Sequence, residues 1–287
     1  MADQNNKTAI GVVGQGYVGK NYADYFEKRG FKVVRFSKEH PHCKNEEKIV
    51  LCDFVFVAVP TPTTPKGFDL SIVDDVLSLV GKGKIAVIKS TMLPGSTEKL
   101  QRRHKNIYVM HSPEFLREKS AYLDVKHPNR NIIGIPKYND EFIAKAKKVI
   151  EILPRAPYDK IMRSREAELI KYAGNCFLFM KVVYANMLYD LSRSIGVNWN
   201  NVSEALAADP RIGGSHLSVM EDKGRGAGGR CFIKDFAAFT AYYRNMLSDD
   251  LNGGSIFRAF ESKNYELLTK SEKDLKLLHA VYGRGLK

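Results

Sequence analysis

Long apolar runs are missing from this chain of 287 residues. No run approaches the roughly 20 residues that a membrane-spanning helix needs, and the first seven residues lack the apolar core of a secretory signal. Internal repeats, flexible linkers and low-complexity tracts are missing as well. We therefore expect a globular, cytoplasmic protein without a membrane partner, and its length suggests two domains.

Cysteine is scarce. The four cysteines, Cys43, Cys52, Cys176 and Cys231, show no CxxC spacing and have no histidine pair nearby. The pattern indicates neither a zinc site nor a disulfide framework. We expect a reduced compartment and no bound metal.

Acidic residues are outnumbered by basic ones. The chain has 45 Lys and Arg against 32 Asp and Glu, a formal net charge of +13. Such a charge favours phosphate-bearing ligands. It could equally favour nucleic acid, but the basic residues are scattered rather than grouped in one patch with aromatic residues. We therefore expect no nucleic-acid partner.

Short apolar runs alternate with helical patterns in the first half of the chain. The predicted strands are Thr8–Val13, Phe31–Phe36, Phe54–Val59, Lys84–Lys89, 107–110 and 131–135. The predicted helices between and after them are 17–29, 71–80 and 139–152. This alternation predicts an α/β fold with a Rossmann-like, doubly wound parallel sheet.

The pattern changes after Pro157. Residues 164–195 form one long proline-free stretch rich in Ala, Leu, Met and Lys, which predicts a single long helix. Shorter helical segments follow at 200–208, 232–247 and 255–268. We predict a dinucleotide-binding domain over 1–162 and a helical domain over 163–287.

A glycine-rich turn, Gly14-Gln-Gly-Tyr-Val-Gly19, follows the first strand and opens the first helix. Gly14 permits the tight turn, Gly16 lets the backbone approach a pyrophosphate, and Gly19 allows close helix packing. An ordinary glycine-rich turn is the alternative interpretation. The strand, turn and helix context favours a dinucleotide site.

The end of the second strand lacks the acidic residue that would bind the ribose 2′-hydroxyl of NAD. The chain there reads Arg35-Phe-Ser-Lys-Glu39, and Ser37 and Lys38 could accept a 2′-phosphate. Glu39 could still reach the ribose. We expect NAD as the cofactor, with NADP left open.

Lys171 and Asn175 are four residues apart, so both project from one face of the long helix. Such a pair can hold a substrate hydroxyl and stabilise oxyanion character at its carbon. Taken alone, the pair is more often solvated surface.

Cys231 lies at the predicted start of a helix near Phe232. The helix terminus and the neighbouring Arg230 and Lys234 would favour its thiolate. Cysteine is commonly a small buried hydrophobe, and we interpret the other three cysteines in this way. Glycines at 224, 226, 228 and 229 indicate instead a loop that a ligand approaches closely.

The combination of a hydride acceptor and a thiol predicts a particular chemistry. A thiolate can trap an aldehyde as a thiohemiacetal and present it for a second hydride transfer. The sequence therefore predicts oxidation of an alcohol to an acid.

Ordered motifs along nearly the whole chain resemble those of the nucleotide-sugar dehydrogenases, the UDP-glucose/GDP-mannose dehydrogenase family. The motifs are Val59-Pro-Thr-Pro-Thr63 with Asp69-Leu-Ser71, Ser90-Thr-Met-Leu-Pro94, Ser112-Pro-Glu-Phe-Leu-Arg-Glu118 with His127-Pro-Asn-Arg130, Glu168-Leu-Ile-Lys171, Asp209-Pro-Arg-Ile-Gly213 and Gly229-Arg-Cys-Phe-Ile-Lys-Asp235. The resemblance implies a four-electron oxidation of a sugar C6 alcohol by two NAD molecules, through an aldehyde and a thioester on the cysteine. UDP-glucose is the substrate it implies.

The resemblance also implies roles for individual residues. Cys231 is the nucleophile, Lys171 and Asn175 support the oxyanion, Glu114 and Asp235 serve proton transfer and water activation, and Thr91 positions water near the nicotinamide. The implied cofactor site comprises Gly14, Gly16, Tyr17, Val18, Gly19, Ser37, Lys38, Pro60, Thr61, Thr91 and Glu118. The implied substrate site comprises Glu114, Phe115, Leu116, Arg117, Lys171, Asn175, Arg211 and Gly228. We also expect a homodimer that pairs through the long helix.

Three departures from the family pattern limit the resemblance. The first is the missing acid after the second strand. The second is the loop before and around the cysteine, where Ala227 replaces the usual aromatic residue and Arg230 and Ile233 replace the usual neighbours. The third is that we expect the C-terminal UDP-binding domain to be missing, which would leave the nucleotide poorly enclosed. Another nucleotide sugar, a UDP-N-acetylhexosamine or GDP-mannose, and a remnant that binds cofactor or partner without turnover are the alternatives. A simple β-hydroxyacid dehydrogenase would share the Lys and Asn pair but has no use for the cysteine.

Overall fold

The computed structural model describes residues 8–221, 224–283 and 285. The chain forms two compact units. The first runs to Thr61 and from Asp69 to Lys171, and the second comprises Pro62–Phe68 and the residues from Tyr172 on. The division falls within the long helix.

The first unit is built on a seven-stranded sheet with the order β2-β1-β3-β6-β7-β8-β9. Its strands are β1 (Ala9–Val13), β2 (Lys32–Phe36), β3 (Phe54–Val57), β6 (Ile85–Ile88), β7 (Tyr108–His111), β8 (Asn131–Ile135) and β9 (Asp159–Arg163). Its helices are α1 (Tyr17–Lys28), α2 (Glu46–Ile49), α3 (Ser71–Leu77), α4 (Ser96–Arg103), α5 (Ala121–Lys126) and α6 (Asp140–Ile152). The Rossmann-like prediction is confirmed.

Both faces of this sheet are buried. On β3, Phe54 and Phe56 belong to one core cluster, whereas Val55 and Val57 belong to a cluster on the other face. Successive side chains of a strand point to opposite faces, so a strand that is covered on both sides reads as a continuous apolar run. This burial explains why the strands were visible in the sequence as unbroken apolar runs.

The sheet departs from the prediction at one edge. β7 and β8 pair antiparallel, through His111 and Gly134, so the sheet is parallel only in its other pairs. β9, which pairs parallel with β8, was not predicted. Its sequence Asp159-Lys-Ile-Met-Arg163 is largely polar because β9 is an edge strand with exposed residues.

The second unit is mainly helical. It contains the greater part of α7 (Ser164–Ser194), then α8 (Trp199–Ala208), α9 (Gly229–Met246), α10 (Leu251–Lys270) and α11 (Leu275–Tyr282). A small hairpin of β4 (Thr63–Thr64) and β5 (Gly67–Phe68) belongs to it. The hairpin and α11 were not predicted. With 31 residues α7 is about 46 Å long at 1.5 Å per residue.

An aromatic pair lies at the centre of the second unit. The rings of Phe179 on α7 and Phe236 on α9 stack with centroids 3.8 Å apart, and both side chains are fully buried. Cys176 and Ala227 belong to the same cluster. The packing of α9 against α7 fixes the position of the residues that precede Phe236, including Asp235.

Candidate active site

The glycine turn has the geometry of a dinucleotide site. Gly14 has φ +91°, and its amide donates a hydrogen bond of 2.9 Å to the carbonyl of Phe36. A Cβ atom on Gly14 would lie 2.3 Å from the carbonyl oxygen of Ala58, and one on Gly19 would lie 1.9 Å from that of Gly14. A Cβ atom on Gly16 would meet nothing within 4 Å. Gly14 and Gly19 are therefore required by packing, whereas Gly16 faces open space.

The start of α1 can bind an anion. The helix begins at Tyr17, directly after Gly16, and no residue of its first turn, all of which are described, is acidic. The first backbone amides of a helix have no partners within the helix and attract phosphate. Val18 packs on the sheet core, and β1 lies between β2 and β3, where the strand order reverses. The described residues thus fit the pyrophosphate of a dinucleotide.

The end of β2 carries a hydroxyl where an NAD site usually has a carboxylate. The Ser37 hydroxyl donates a hydrogen bond of 2.9 Å to the carbonyl of Glu39, and Lys38 is exposed. Arg35 forms ion pairs with Asp24 and Glu27 on α1. Arg35 is therefore held by α1, which leaves Lys38 as the basic side chain at the strand end.

The loops that follow β3 and β6 are tied together. The Thr61 hydroxyl donates a hydrogen bond of 2.9 Å to the carbonyl of Thr91, and the Ser90 hydroxyl donates one of 2.7 Å to the carbonyl of Val59. Pro60 between them is exposed. The structure thus brings together Thr61 and Thr91, two residues predicted to lie at the cofactor site.

Lys171 and Glu114 form a buried ion pair in the first unit. The Lys171 Nζ atom lies 3.0 Å from Oε1 of Glu114 and 2.8 Å from its carbonyl oxygen. The second carboxylate oxygen accepts a hydrogen bond of 2.7 Å from the amide of Leu116. Both side chains are about 95% buried. Sequence spacing could not have joined these residues, which lie on a loop and on α7.

The residues after Glu114 have partners of their own. The Arg130 guanidinium lies 3.8 Å from the ring centroid of Phe115. Arg117 forms an ion pair with Asp124, which raises the pKa of Arg117. Glu118 begins a short 3-10 turn and is exposed. Phe115 lies near the buried pair, with its ring centroid 5.9 Å from the Lys171 Nζ atom. Arg117 is instead held by Asp124.

Asn175 and Asp235 are joined in the second unit. The Asn175 side-chain nitrogen donates a hydrogen bond of 2.7 Å to the Asp235 carboxylate, which is completely buried and also pairs with Lys234. Cys231 is half-buried and lies one turn before Asp235 on α9. The helix begins at Gly229, three residues before the predicted start, so Cys231 is the third residue of its first turn. Amides of a first turn favour an anion such as a thiolate.

Three of the glycines before Cys231, Gly224, Gly226 and Gly228, pack against protein atoms. A Cβ atom on Gly224 would lie 2.6 Å from Cβ of Lys273, and one on Gly228 would lie 2.3 Å from Oδ2 of Asp274. The buried Asn264 side chain exchanges two hydrogen bonds with the backbone of Ala227. Gly224 and Gly228 therefore allow a close approach to the segment after α10, whereas a Cβ atom on Gly229 would meet nothing within 4 Å. The approach of a ligand to this loop stays a prediction.

Arg211 is held by an acidic residue close to it in the chain. Its guanidinium pairs with Asp209, and its side chain is exposed. The neighbouring carbonyls of Ile212 and Gly213 accept hydrogen bonds from Lys181 on α7. The acidic partner of Arg211 is thus Asp209 rather than Asp235, the partner of Asn175.

Sequence reasoning missed Glu168. Its carboxylate accepts hydrogen bonds of 2.6 Å from the amide of Gly95 and of 2.7 and 2.6 Å from the amide and hydroxyl of Thr97, at the start of α4. Burial nevertheless raises the pKa of Glu168 to about 7. Glu168 stands in a family motif, but no local spacing indicates its partners, which lie about 70 residues earlier in the chain.

Sequence reasoning also missed a polar group behind Glu114. Lys89, His111 and Ser112 are each at least nine-tenths buried, at the ends of β6 and β7. Lys89 and His111 carry no motif signal of their own, because the sequence does not show which polar residues after a strand point inward.

A cavity of about 1550 Å³ lies at the amino-terminal ends of the strands, opposite the end that carries the glycine turn. Its lining includes Asp53, Lys84 and Asp159, which stand at the amino-terminal ends of their strands. None of the predicted site residues lines it.

In the described part of the chain, no helix is long and apolar enough to cross a membrane.

Two family descriptions match the chain. The NAD binding domain of the UDP-glucose/GDP-mannose dehydrogenase family matches residues 36–153, and the central domain of that family matches residues 165–259. The chain belongs to the UDP-glucose/GDP-mannose dehydrogenase family. Its members are NAD-dependent oxidoreductases, and NAD is the cofactor of the matched domain.

Related proteins agree with this family assignment. UDP-glucose 6-dehydrogenase from Rickettsia conorii is 35% identical over 202 residues, which are 67% of this chain and 45% of that protein. A UDP-glucose dehydrogenase structure from Pyrobaculum islandicum superposes with a TM-score of 0.78 at 29% identity, over 93% of this chain and 71% of that one. A UDP-D-ManNAc dehydrogenase structure from Pyrococcus horikoshii has a TM-score of 0.74 at 21% identity, over 93% and 73%, and shows the shared fold alone. The chain spans about half the length of the curated relatives it matches.

Proposed function

We propose that the protein oxidises UDP-glucose to UDP-glucuronate in the cytoplasm, with NAD as the hydride acceptor. The observation that carries the proposal is the set of three groups that this reaction needs: the Lys171–Glu114 pair, the Asn175–Asp235 pair and Cys231 in the first turn of α9. The proposal requires that all three act on one substrate. The family membership supports UDP-glucose, which the Rickettsia conorii relative and two other Rickettsia relatives act on by name.

The first oxidation converts the C6 alcohol to an aldehyde. The C6 carbon loses a hydride, and the hydroxyl loses a proton to a carboxylate or its bound water. Lys171 and Asn175, four residues apart on α7, stabilise the negative charge that develops on the oxygen. NAD supplies the hydride-accepting chemistry, and two equivalents balance the four electrons of the whole reaction.

The second oxidation uses Cys231. Its thiolate adds to the aldehyde carbon and forms a thiohemiacetal. Loss of a second hydride and of the hydroxyl proton leaves a thioester, and water then cleaves the bond between carbon and sulfur, which returns the thiol and releases the acid. We assign proton transfer and water activation to Glu114 and Asp235, and water positioning to Thr91.

Two other functions would use part of the same machinery. Oxidation of a UDP-N-acetylhexosamine or GDP-mannose keeps the chemistry and changes the sugar, and Ala227, Arg230 and Ile233 beside the cysteine favour testing these sugars. A remnant that binds cofactor or a partner would need none of the three groups. A β-hydroxyacid dehydrogenase would need no cysteine.

Product stoichiometry tests the proposal. We expect two equivalents of NADH and one of UDP-glucuronate for each UDP-glucose consumed. One equivalent of reduced cofactor would point to a simple alcohol oxidation. Turnover of another nucleotide sugar but not of UDP-glucose would change the substrate, and no turnover with a panel of nucleotide sugars and either cofactor would favour the remnant.

We also propose a homodimer formed through α7. The apolar side chains of Phe177, Tyr184, Met187 and Leu191 are between 46% and 63% exposed, and their spacing of seven, three and four residues places them in one stripe. An exposed apolar stripe of this kind marks a surface that packs against a partner helix. A second copy of α7 offers the same stripe.

A further inference from the structure

A lysine is buried behind the Glu114 carboxylate. Lys89 follows β6 directly, and it is only 3% exposed. Its Nζ atom donates a hydrogen bond of 2.9 Å to the hydroxyl of Ser112 and lies 4.5 Å from the ring centroid of Tyr22 on α1. A buried ammonium needs such partners, because an unpaired charge in the protein interior is costly.

The position of Ser112 links Lys89 to Glu114. The chain reads Ser112-Pro-Glu114, and Pro113 fixes its own φ near −65°. A hydrogen bond that anchors Ser112 therefore restricts the direction in which Glu114 leaves the strand. From the other side, Lys171 holds both the carbonyl and the carboxylate of Glu114.

The titratable groups near Lys89 include Glu114, His111 and Tyr22. Burial lowers the pKa of Lys89 to about 7, against the opposing charge of Glu114. Burial and the charges of Lys89 and Lys171 lower the pKa of His111 to about 3, so His111 is neutral at physiological pH. Burial raises the pKa of Tyr22, which is neutral as well. Glu114 thus acts on the pKa of Lys89, and the charges of Lys89 and Lys171 both act on that of His111.

We propose that Lys89 is a positioning residue for Glu114. It anchors the Ser112–Glu114 turn through the Ser112 hydroxyl, and it supplies a second buried cation beside the Lys171–Glu114 pair. This inference rests on the proposed function, in which Glu114 transfers protons. When Lys89 is neutral, one positive charge near the Glu114 carboxylate is lost, so the charge of the site changes near neutral pH.

Kinetics of four proteins test the positioning role. Lys89→Met keeps a long unbranched side chain but removes the ammonium group. In this variant we expect kcat for NADH formation to fall at least about tenfold, because a small displacement of Glu114 has a large effect on the reaction. We expect KM for NAD to stay within about twofold. Ser112→Ala removes the hydrogen bond but keeps the charge, and should lower kcat less. Lys84→Met, at the other end of β6, removes a half-buried ion pair with Asp53 and is the matched control.

The pH dependence separates this role from simple structural support. We expect an inflection of kcat near pH 7 in the wild type, Ser112→Ala and Lys84→Met, and its loss in Lys89→Met. An unchanged kcat and pH profile in folded Lys89→Met would overturn the proposal. So would a fall in kcat with the inflection retained.

A measurement without turnover tests the coupling to Glu114. In protein labelled with ¹³C at lysine Cε, the Lys89 resonance is assigned by its loss in Lys89→Met. We expect it to titrate near pH 7, and its midpoint to fall in Glu114→Gln, because the carboxylate that favours the ammonium is then gone. A midpoint that Glu114→Gln leaves unchanged would refute the coupling, even if the proposed reaction occurs. If the midpoint falls but no nucleotide sugar is oxidised, the coupling holds and the proposed function fails.

Discussion

The ammonium group of Lys171 binds two different oxygens of Glu114, the carbonyl at 2.8 Å and the carboxylate at 3.0 Å. The contact joins the first turns of α7 to the loop after β7, and water has little access to it. One interaction thus both fixes the backbone at Glu114 and neutralises its charge.

Lys171→Met should destabilise the protein by about 3–5 kcal/mol, because it leaves a buried carboxylate without its cation. Urea unfolding at pH 7 measures the change. Arg165 lies on the same helix as Lys171 and forms a more exposed ion pair with Glu98 on α4. Arg165→Met should therefore cost less than about 1 kcal/mol. The double variant Lys171→Met with Glu114→Gln should recover part of the loss. Equal losses for the buried and exposed pairs would contradict the expected role of burial.

Cys231→Ser should abolish acid formation, because the variant has no thiolate to trap the aldehyde. NADH binding, followed by fluorescence, should stay unchanged, since Cys231 lies outside the glycine turn. Cys43→Ser is the control, because Cys43 lies on a short 3-10 turn of the first unit. Full UDP-glucuronate production by Cys231→Ser would remove the nucleophile assignment.

Glu168→Gln should change how stability depends on pH. The pKa of Glu168 is raised from 4.5 to about 7, so the folded protein holds this proton more tightly than the unfolded chain. Protonated Glu168 therefore makes its full contribution to the free energy of unfolding below about pH 4.5, and this contribution is lost as pH rises through about 7. The wild type should therefore lose on the order of 3 kcal/mol relative to Glu168→Gln between these limits. Urea unfolding at pH 4.5, 6 and 8 measures the difference, and a constant difference would show that the shift is absent.

Ser37→Asp should increase the preference for NADH over NADPH. A carboxylate at the end of β2 binds the ribose hydroxyls of NAD and repels a 2′-phosphate. Fluorescence titration of both reduced cofactors gives the ratio of Kd values, which we expect to change at least about tenfold, or about 1.4 kcal/mol. Lys48→Asp, on nearby α2, controls for the general loss of positive charge. An equal change in both variants would mean that Ser37 does not face the ribose.

Leu191→Glu should dissociate the proposed dimer, because it places a charge within the apolar stripe of α7. Sedimentation or light scattering gives the mass in solution. Arg193→Glu makes a charge change on the same helix outside the stripe and should leave the dimer intact. A wild type that is monomeric at micromolar concentration would contradict the proposal.

The sequence by itself determined the parts of this protein that depend on local pattern. The glycine turn between a strand and a helix indicated the turn that a dinucleotide site uses. Buried parallel strands read as apolar runs, and α7 reads as one uninterrupted helical stretch. Spacing along that helix also placed Lys171 and Asn175 on one face. Ordered motifs added the family and the expected roles of single residues.

The tertiary structure decided the contacts between residues far apart in the chain. No local pattern joins Lys171 to Glu114, Asp235 to Asn175, or Glu168 to Thr97, because each pair comes from different elements that only packing brings together. The same holds for Lys89, whose burial depends on α1 and β7. The antiparallel β8, the polar edge strand β9 and the packing of the glycine loop against Lys273 were also beyond the sequence, since their residues follow from neighbours rather than from periodicity.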